Sequence, residues 1–120
     1  MCFQIQRDTG LWYSVEYSSF SVGPEADKYR LSVSGFSGDI GDAIAAAASP
    51  ALVVNGMQFS TPDQDNDNCP VHCAVHSGWW LNCCSRCQIT GSGTSNGCWN
   101  ADTTTFIADV QYTRMLVKLD

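Results

Sequence analysis

A chain of 120 residues makes one small domain, long enough for a modest core. Its formal net charge of -6, with only six Lys and Arg, excludes a phosphate-neutralising nucleic-acid binder and disfavours anionic membranes. No apolar run reaches transmembrane length, since AIAAAASPALVV is interrupted by Ser49 and Pro50.

Residues 2–7 alternate Phe3 and Ile5 with polar neighbours as a short strand does, and Asp8-Thr9-Gly10 reads as the turn that ends it. LWYSVEYSSFSV is rich in β-branched and aromatic residues, so a hairpin follows. Gly23 to Asp27 breaks the pattern, and YRLSVSGF resumes it with Tyr29, Leu31 and Val33 on one face and Arg30, Ser32 and Ser34 on the other. Three antiparallel strands are predicted. In DAIAAAA, Asp42 caps one short helix that Ser49-Pro50 stops. Asn55-Gly56 is a turn signal and Met57 to Phe59 a short strand. From Asn68 to Gly97 periodicity is lost, so this half is expected to be held by crosslinks and a metal more than by layered packing. TFIADV and QYTRMLVKL return to strand character, with Met115, Val117 and Leu119 alternating against Arg114 and Lys118. That last strand should close the sheet begun at the N-terminus.

The chemistry concentrates between Phe59 and Gly91. Asp63, Asp65 and Asp67 alternate with Gln64 and Asn66, and so dense a set of hard oxygen donors suits Ca²⁺. An EF-hand fails, because its glycine and its bidentate glutamate would fall on Asn68 and Ala74. The plain alternative is a solvated turn. Five of the seven cysteines lie in the same stretch and point to an oxidising compartment, the odd count leaving one unpaired or intermolecular. Vicinal Cys83 and Cys84 should face different partners. The cytosolic alternative is zinc on Cys69-x3-Cys73 and Cys84-x2-Cys87 with His72 and His76. No nucleophile, base and orienter assemble, so a non-enzyme is expected.

YSVEYSSFSVGPEADKYRLSVSGFSGDIGDAI matches the pattern AEYxxFxVGPExDKYRLxVxGYSGxAGDxx, and NGMQFSTPDQDND followed by CA, GWW and C matches NGMxFSTxDxDND with NCA, GGWW and C. On these motifs the chain resembles the C-terminal portion of a fibrinogen-related domain, the fold of fibrinogen chain ends, ficolins, tachylectins and angiopoietins. The likeness runs from Ile5 to Leu119. It implies an α+β fold: a twisted antiparallel sheet with one short helix, in 1–60 and 104–120, plus a loop-rich subdomain in 61–103 held by calcium and disulfides. The family's N-terminal subdomain is missing from this sequence, as is a secretory signal.

The resemblance also implies site residues. Calcium falls on the Asp65 and Asp67 carboxylates and the Cys69 and Val71 carbonyls, with Asp63 an outer or water-mediated contributor. A disulfide falls on Cys73 and Cys84, and a cis peptide on Cys83-Cys84. In lectin-like members that bend turns N–H groups into a pocket for the acetyl of N-acetylated sugars, which places ligand binding on Cys84, Ser85, His76 and Trp99. The pocket's tyrosines are absent here, and Ser85 replaces its histidine. Trp79 and Trp80 read as core and loop anchors, and His72 as a loop hydrogen-bonder. The leading expectation is a secreted, calcium-dependent lectin-like module for acetylated glycans in innate defence, with possible self-association. The alternatives are a protein-interaction module of the fibrinogen and angiopoietin type, and a reduced zinc protein.

Overall fold

The computed structural model describes residues 1–7, 9–39, 41–42, 44–45, 50–75, 77–85, 87–90, 97–99, 106–107 and 110–119. Its main element is an antiparallel sheet of four strands: β1 (Cys2–Arg7), β2 (Trp12–Val22), β3 (Leu31–Gly38) and β9 (Val110–Leu116), in the order β3-β2-β1-β9. The register lines Phe3 up with Val15 and Met115, and Ile5 with Tyr13 and Thr113. Phe3, Ile5, Val15 and Tyr17 therefore share one face, and all four are buried. The opposite face sets Gln4 between Ser14 and Arg114. A period of two in the sequence thus becomes a two-faced sheet. As expected, the last strand closes it beside β1.

Two expectations about alternation stop short at strand ends. Leu31 and Val33 are buried as predicted, but Tyr29 is exposed. Lys28 and Tyr29 both take left-handed backbone angles, φ 53° and 56°, after a 3-10 turn at Glu25–Asp27, so the chain there is not extended. Gly23 N–H to Arg30 O closes that turn at 2.8 Å, and the Arg30 guanidinium braces it against Asp27 at 2.9 and 3.1 Å. At the other end β9 stops at Leu116, which leaves Val117 and Leu119 exposed while Met115 packs on the core.

Asp42 has the geometry of a cap, its Oδ1 accepting the Ala45 N–H at 2.9 Å. The body of the expected helix at 46–49 lies outside the described residues. Pro50 opens a 3-10 turn, Pro50–Leu52, and no α-helix occurs among the described residues.

The remaining strands are short. β4 (Phe59–Ser60) pairs with β5 (Trp79–Trp80), while β6 (Cys87–Gln88), β7 (Gly97–Trp99) and β8 (Phe106–Ile107) form a three-stranded sheet. This shifts the expected boundary: Phe106 and Ile107, placed with the central sheet, ladder instead against Trp99 and Cys98. A local hairpin partner is reached at less loop-closure cost than a distant strand. The loop-rich half is also better packed than expected. Ala74, Trp79, Trp80, Leu81, Cys87 and Ile89 are buried in the same cluster as the sheet residues.

Candidate functional site

The acidic loop leaves β4 and returns through β5, so its ends are pinned by a two-residue ladder. Phe59 pairs with Trp80 and Ser60 with Trp79. Ser60 is fully buried and its Oγ accepts the Asn66 N–H at 2.9 Å, while Asn66 Nδ2 donates to the Phe59 carbonyl at 2.8 Å. Farther along, Asn68 Nδ2 donates to Asn82 Oδ1 at 3.1 Å, and Asn82 Nδ2 donates to the Pro50 and Val53 carbonyls, both at 3.0 Å. Asparagine side chains, that of Asn82 buried, thus supply the backbone partners that irregular chain needs.

On this frame Asp67 is the centre. Its Oδ1 accepts the Cys69 N–H and its Oδ2 the Cys73 N–H, each at 2.9 Å, and its side chain is 0% exposed. Burial works to raise its pKa, but the N–H groups of Cys73 and Cys69, with Asp65 and His72 beside it, outweigh that and hold the carboxyl below its ordinary range. Asp65 Oδ1 accepts the Asp67 N–H at 3.2 Å. Its Oδ2 lies 3.6 Å from His72 Nδ1, and Asp67 Oδ2 lies 4.0 Å from the same atom. Asp63 is apart from this group: its Oδ1 accepts the Thr61 hydroxyl at 2.6 Å, which lowers its pKa, and the residue is exposed.

Two disulfides fasten the loop. Cys73 is joined to Cys84, as the family pattern implies, and Cys69 to Cys83, a pair that the sequence left open. Vicinal Cys83 and Cys84 do face different partners, and the peptide between them is cis. Cys87 is disulfide-bonded as well, and its backbone neighbour across the β6-β7 ladder is Cys98. Cys2 is the free cysteine among the described residues. Thiols committed to disulfides cannot ligate zinc, so the reduced Cys-zinc reading is overturned at Cys69, Cys73, Cys84 and Cys87.

The expected ligand residues meet only in part. Cys84 and Ser85 border the disulfides, but Ser85 Oγ donates to the Cys87 carbonyl at 2.7 Å and accepts the Cys87 N–H at 3.0 Å. The Cys83 N–H is engaged with the Ala51 carbonyl at 2.8 Å. Trp99 sits in β7 opposite Phe106, with its side chain outside the described residues, and His76 lies outside them altogether. Val71 is 63% exposed and Val75 58%, both on the crosslinked loop.

His72 does more than expected. Its Nε2 meets the Pro62 carbonyl at 3.0 Å, the loop hydrogen bond read from the sequence, and its Nδ1 faces the two carboxylates. The signal available in the sequence was Asp65-x-Asp67-x4-His72, a spacing matching no standard metal motif. Two carboxylates, one of them buried, and an orphaned ring nitrogen form a donor set that can hold a divalent cation.

Comparisons agree with this architecture. The model for the C-terminal globular domain of fibrinogen beta and gamma chains matches residues 1–117. The mouse (Mus musculus) fibrinogen gamma chain is 38% identical over 112 residues, 85% of this chain and 26% of the relative. Bovine (Bos taurus) angiopoietin-4 is 42% identical over 78 residues, 63% of this chain and 14% of the relative. The chain therefore spans about a quarter or less of these relatives' lengths. Among solved structures, lamprey fibrin D-dimer, complexed with the peptide ligand Gly-His-Arg-Pro-amide, superposes with TM-score 0.71 at 31% identity, covering 80% of this chain and 33% of that one. The fibrinogen-like globe domain of human ANGPTL6 gives 0.67 at 28%, covering 83% of this chain and 43% of that one. By a family match over nearly its whole length, joined to this sheet order and this crosslinked acidic loop, the chain belongs to the family of fibrinogen C-terminal globular domains.

Proposed function

We propose that the chain is an extracellular, non-catalytic module that binds protein or peptide partners through the crosslinked loop. The observation that carries this reading is the exposure of Val71 and Val75 on a segment tied by the Cys69–Cys83 and Cys73–Cys84 bridges. Apolar side chains held out rigidly give a partner contact area with little ordering cost. Beside them stand the exposed carboxylates of Asp63 and Asp65, in a chain of net charge -6, which favours a basic partner segment. The lamprey relative's peptide ligand, which contains His and Arg, has that chemistry. The disulfides and the fibrinogen and angiopoietin relatives support a secreted setting. No helix among the described residues is long and apolar enough to cross a membrane.

In this reading Ca²⁺ is the loop's organising ion. Asp65 and Asp67 supply carboxylates and the Cys69 and Val71 carbonyls complete the oxygen set, as the family resemblance implies.

Acetylated glycans rank second. The Ser85 hydroxyl and the Cys83 N–H, groups that an acetyl pocket would use, are already engaged inside the loop.

Titration of the full chain with Gly-His-Arg-Pro-amide and with N-acetylglucosamine, each with and without chelator, tests the assignment. Saturable peptide binding that weakens in a Val71→Asp/Val75→Asp variant is expected. Saturable sugar binding without any peptide response overturns the protein-interaction reading in favour of the lectin one.

A further inference from the structure

We propose that the partner of the crosslinked loop is a second copy of this chain, which receives Val71, Val75 and Asp63 on the outer face of its central sheet around Trp12, Tyr112 and Arg114. The assignment rests on the reading of the crosslinked loop as the binding surface and adds the identity of what it binds.

A sheet with one face in the core usually turns polar residues outward. This sheet breaks that rule on its outer face. Trp12, Gln6 and Tyr112 stand in one row across β2, β1 and β9, so the two aromatic positions are two strand spacings apart, about 10 Å. Trp12 is 46% exposed and Tyr112 64%. The next row, Ser14, Gln4 and Arg114, sets polar groups beside them.

Arg114 is the charged member of this patch. Its Nε donates to Gln4 Oε1, and its guanidinium lies 5.3 Å from the centroid of the Trp12 ring. Both contacts hold the side chain in place without neutralising it. Among the described residues no carboxylate pairs with Arg114, whereas Arg30 is paired with Asp27 at 2.9 Å. An ordered, unpaired guanidinium beside two exposed aromatics has the composition of a binding hot spot, and its planar fork suits a carboxylate.

The crosslinked loop carries the complement. Val71 and Val75 offer apolar area to the rings, and Asp63 is an exposed carboxylate outside the group formed by Asp65, Asp67 and His72. In a chain of net charge -6 an acidic loop is repelled by most of another copy, and the strand that bears Arg114, followed by exposed Lys118, offers it positive charge instead.

The two surfaces cannot meet within one molecule. Ala74, Trp79 and Trp80 of the loop half are buried in one cluster with Phe3, Ile5 and Val15, which puts the loop on the inner side of the sheet while Trp12 and Tyr112 stand on the outer side. The contact is therefore made between copies. Because it joins two different surfaces, it leaves each pair with one free loop and one free face.

Sedimentation velocity of the full chain over a concentration series tests this, with circular dichroism to verify folding. Wild type is expected to sediment faster as concentration rises, and Cys2→Ser to match it, which separates the contact from a disulfide through the free thiol. A face variant, Trp12→Ser/Arg114→Glu, and a loop variant, Val71→Asp/Val75→Asp, should each weaken association by about tenfold or more, the scale of a hot-spot loss. Arg114→Glu alone replaces the face variant if that one does not fold. Mixed together, the two variants should form pairs and nothing larger, since one brings an intact loop and the other an intact face. Wild type that stays monomeric at every concentration, full association in the loop variant, or a mixture that stays monomeric overturns the second-copy assignment. In each of those cases saturable binding of Gly-His-Arg-Pro-amide to folded wild type leaves the loop reading standing, and no binding removes that reading as well.

Discussion

Trp80 Nε1 donates a hydrogen bond to the Tyr29 carbonyl at 2.8 Å, across 51 positions of sequence. The bond fastens the left-handed Lys28-Tyr29 turn of the central sheet to β5, the strand that pins the acidic loop. The same indole meets Phe59 edge-on at 5.2 Å and Trp79 at 5.1 Å. Trp80→Phe should therefore remove a hydrogen bond and leave a void, at a cost of about 2–3 kcal/mol. Urea unfolding of the two proteins measures it, and an unchanged midpoint would count against this joint.

Replacing Cys73 and Cys84 together by Ser opens a loop of 11 residues' separation. Constraint of the unfolded chain by such a loop is worth about 3 kcal/mol. The variant should also lose grip on Asp67, because the Cys73 N–H is one of that carboxylate's two donors. Thermal melting checks the first effect and cation titration the second. Recovery of both thiols in the free form from non-reduced wild type would refute the bridge.

If the loop's ion is bound only by the folded chain, calcium at a hundredfold over Kd should stabilise by about 2.7 kcal/mol. Asp65→Asn should abolish that gain with little cost to the ion-free protein, since Asp65 accepts only the Asp67 N–H at 3.2 Å and is exposed. Melting curves with calcium and with chelator decide it, and identical curves for wild type would sink the calcium reading.

Tyr17 predicts alkaline sensitivity. Burial disfavours the phenolate, and the hydroxyl's bond to Asp42 at 2.5 Å with that residue's charge adds to it, so the folded pKa lies above the ordinary tyrosine value. The folded state keeps a proton that the unfolded chain releases near pH 10. Stability from this group is thus complete below about pH 10 and falls by about 1.4 kcal/mol per unit above it. Tyr17→Phe should cost about 1 kcal/mol at neutral pH and flatten the alkaline slope, as measured by denaturant midpoints from pH 8 to 11.

Gly35 sits in β3 with φ +74°, and a Cβ there would lie 1.8 Å from Ser18 Oγ. Gly35→Ala should cost about 1–3 kcal/mol through the left-handed angle, and pairing it with Ser18→Gly should recover only the steric part. A melting temperature unchanged by Gly35→Ala would show that the strand relaxes around the methyl.

The sequence by itself determined whatever depends on neighbours along the chain. The alternation of Phe3 with Ile5 and of Leu31 with Val33 specified strands and the face each would bury, because side chains on a strand change sides at every residue. The crowding of carboxylates in Asp63 to Asp67 marked the loop, and adjacency alone separated the partners of Cys83 and Cys84. Tertiary structure decided the rest, because which of several candidate partners a group meets depends on how the chain folds back and not on residue type or spacing. Cys69 found Cys83, and Asp63 turned to Thr61 while Asp67 was buried under the N–H groups of Cys69 and Cys73. Phe106 and Ile107 joined β7, and the tryptophan pair merged the loop half into one core with the sheet. The direction of His72 Nδ1 is the clearest case: only the Pro62 carbonyl, ten residues away and brought near by folding, turns that nitrogen toward the carboxylates.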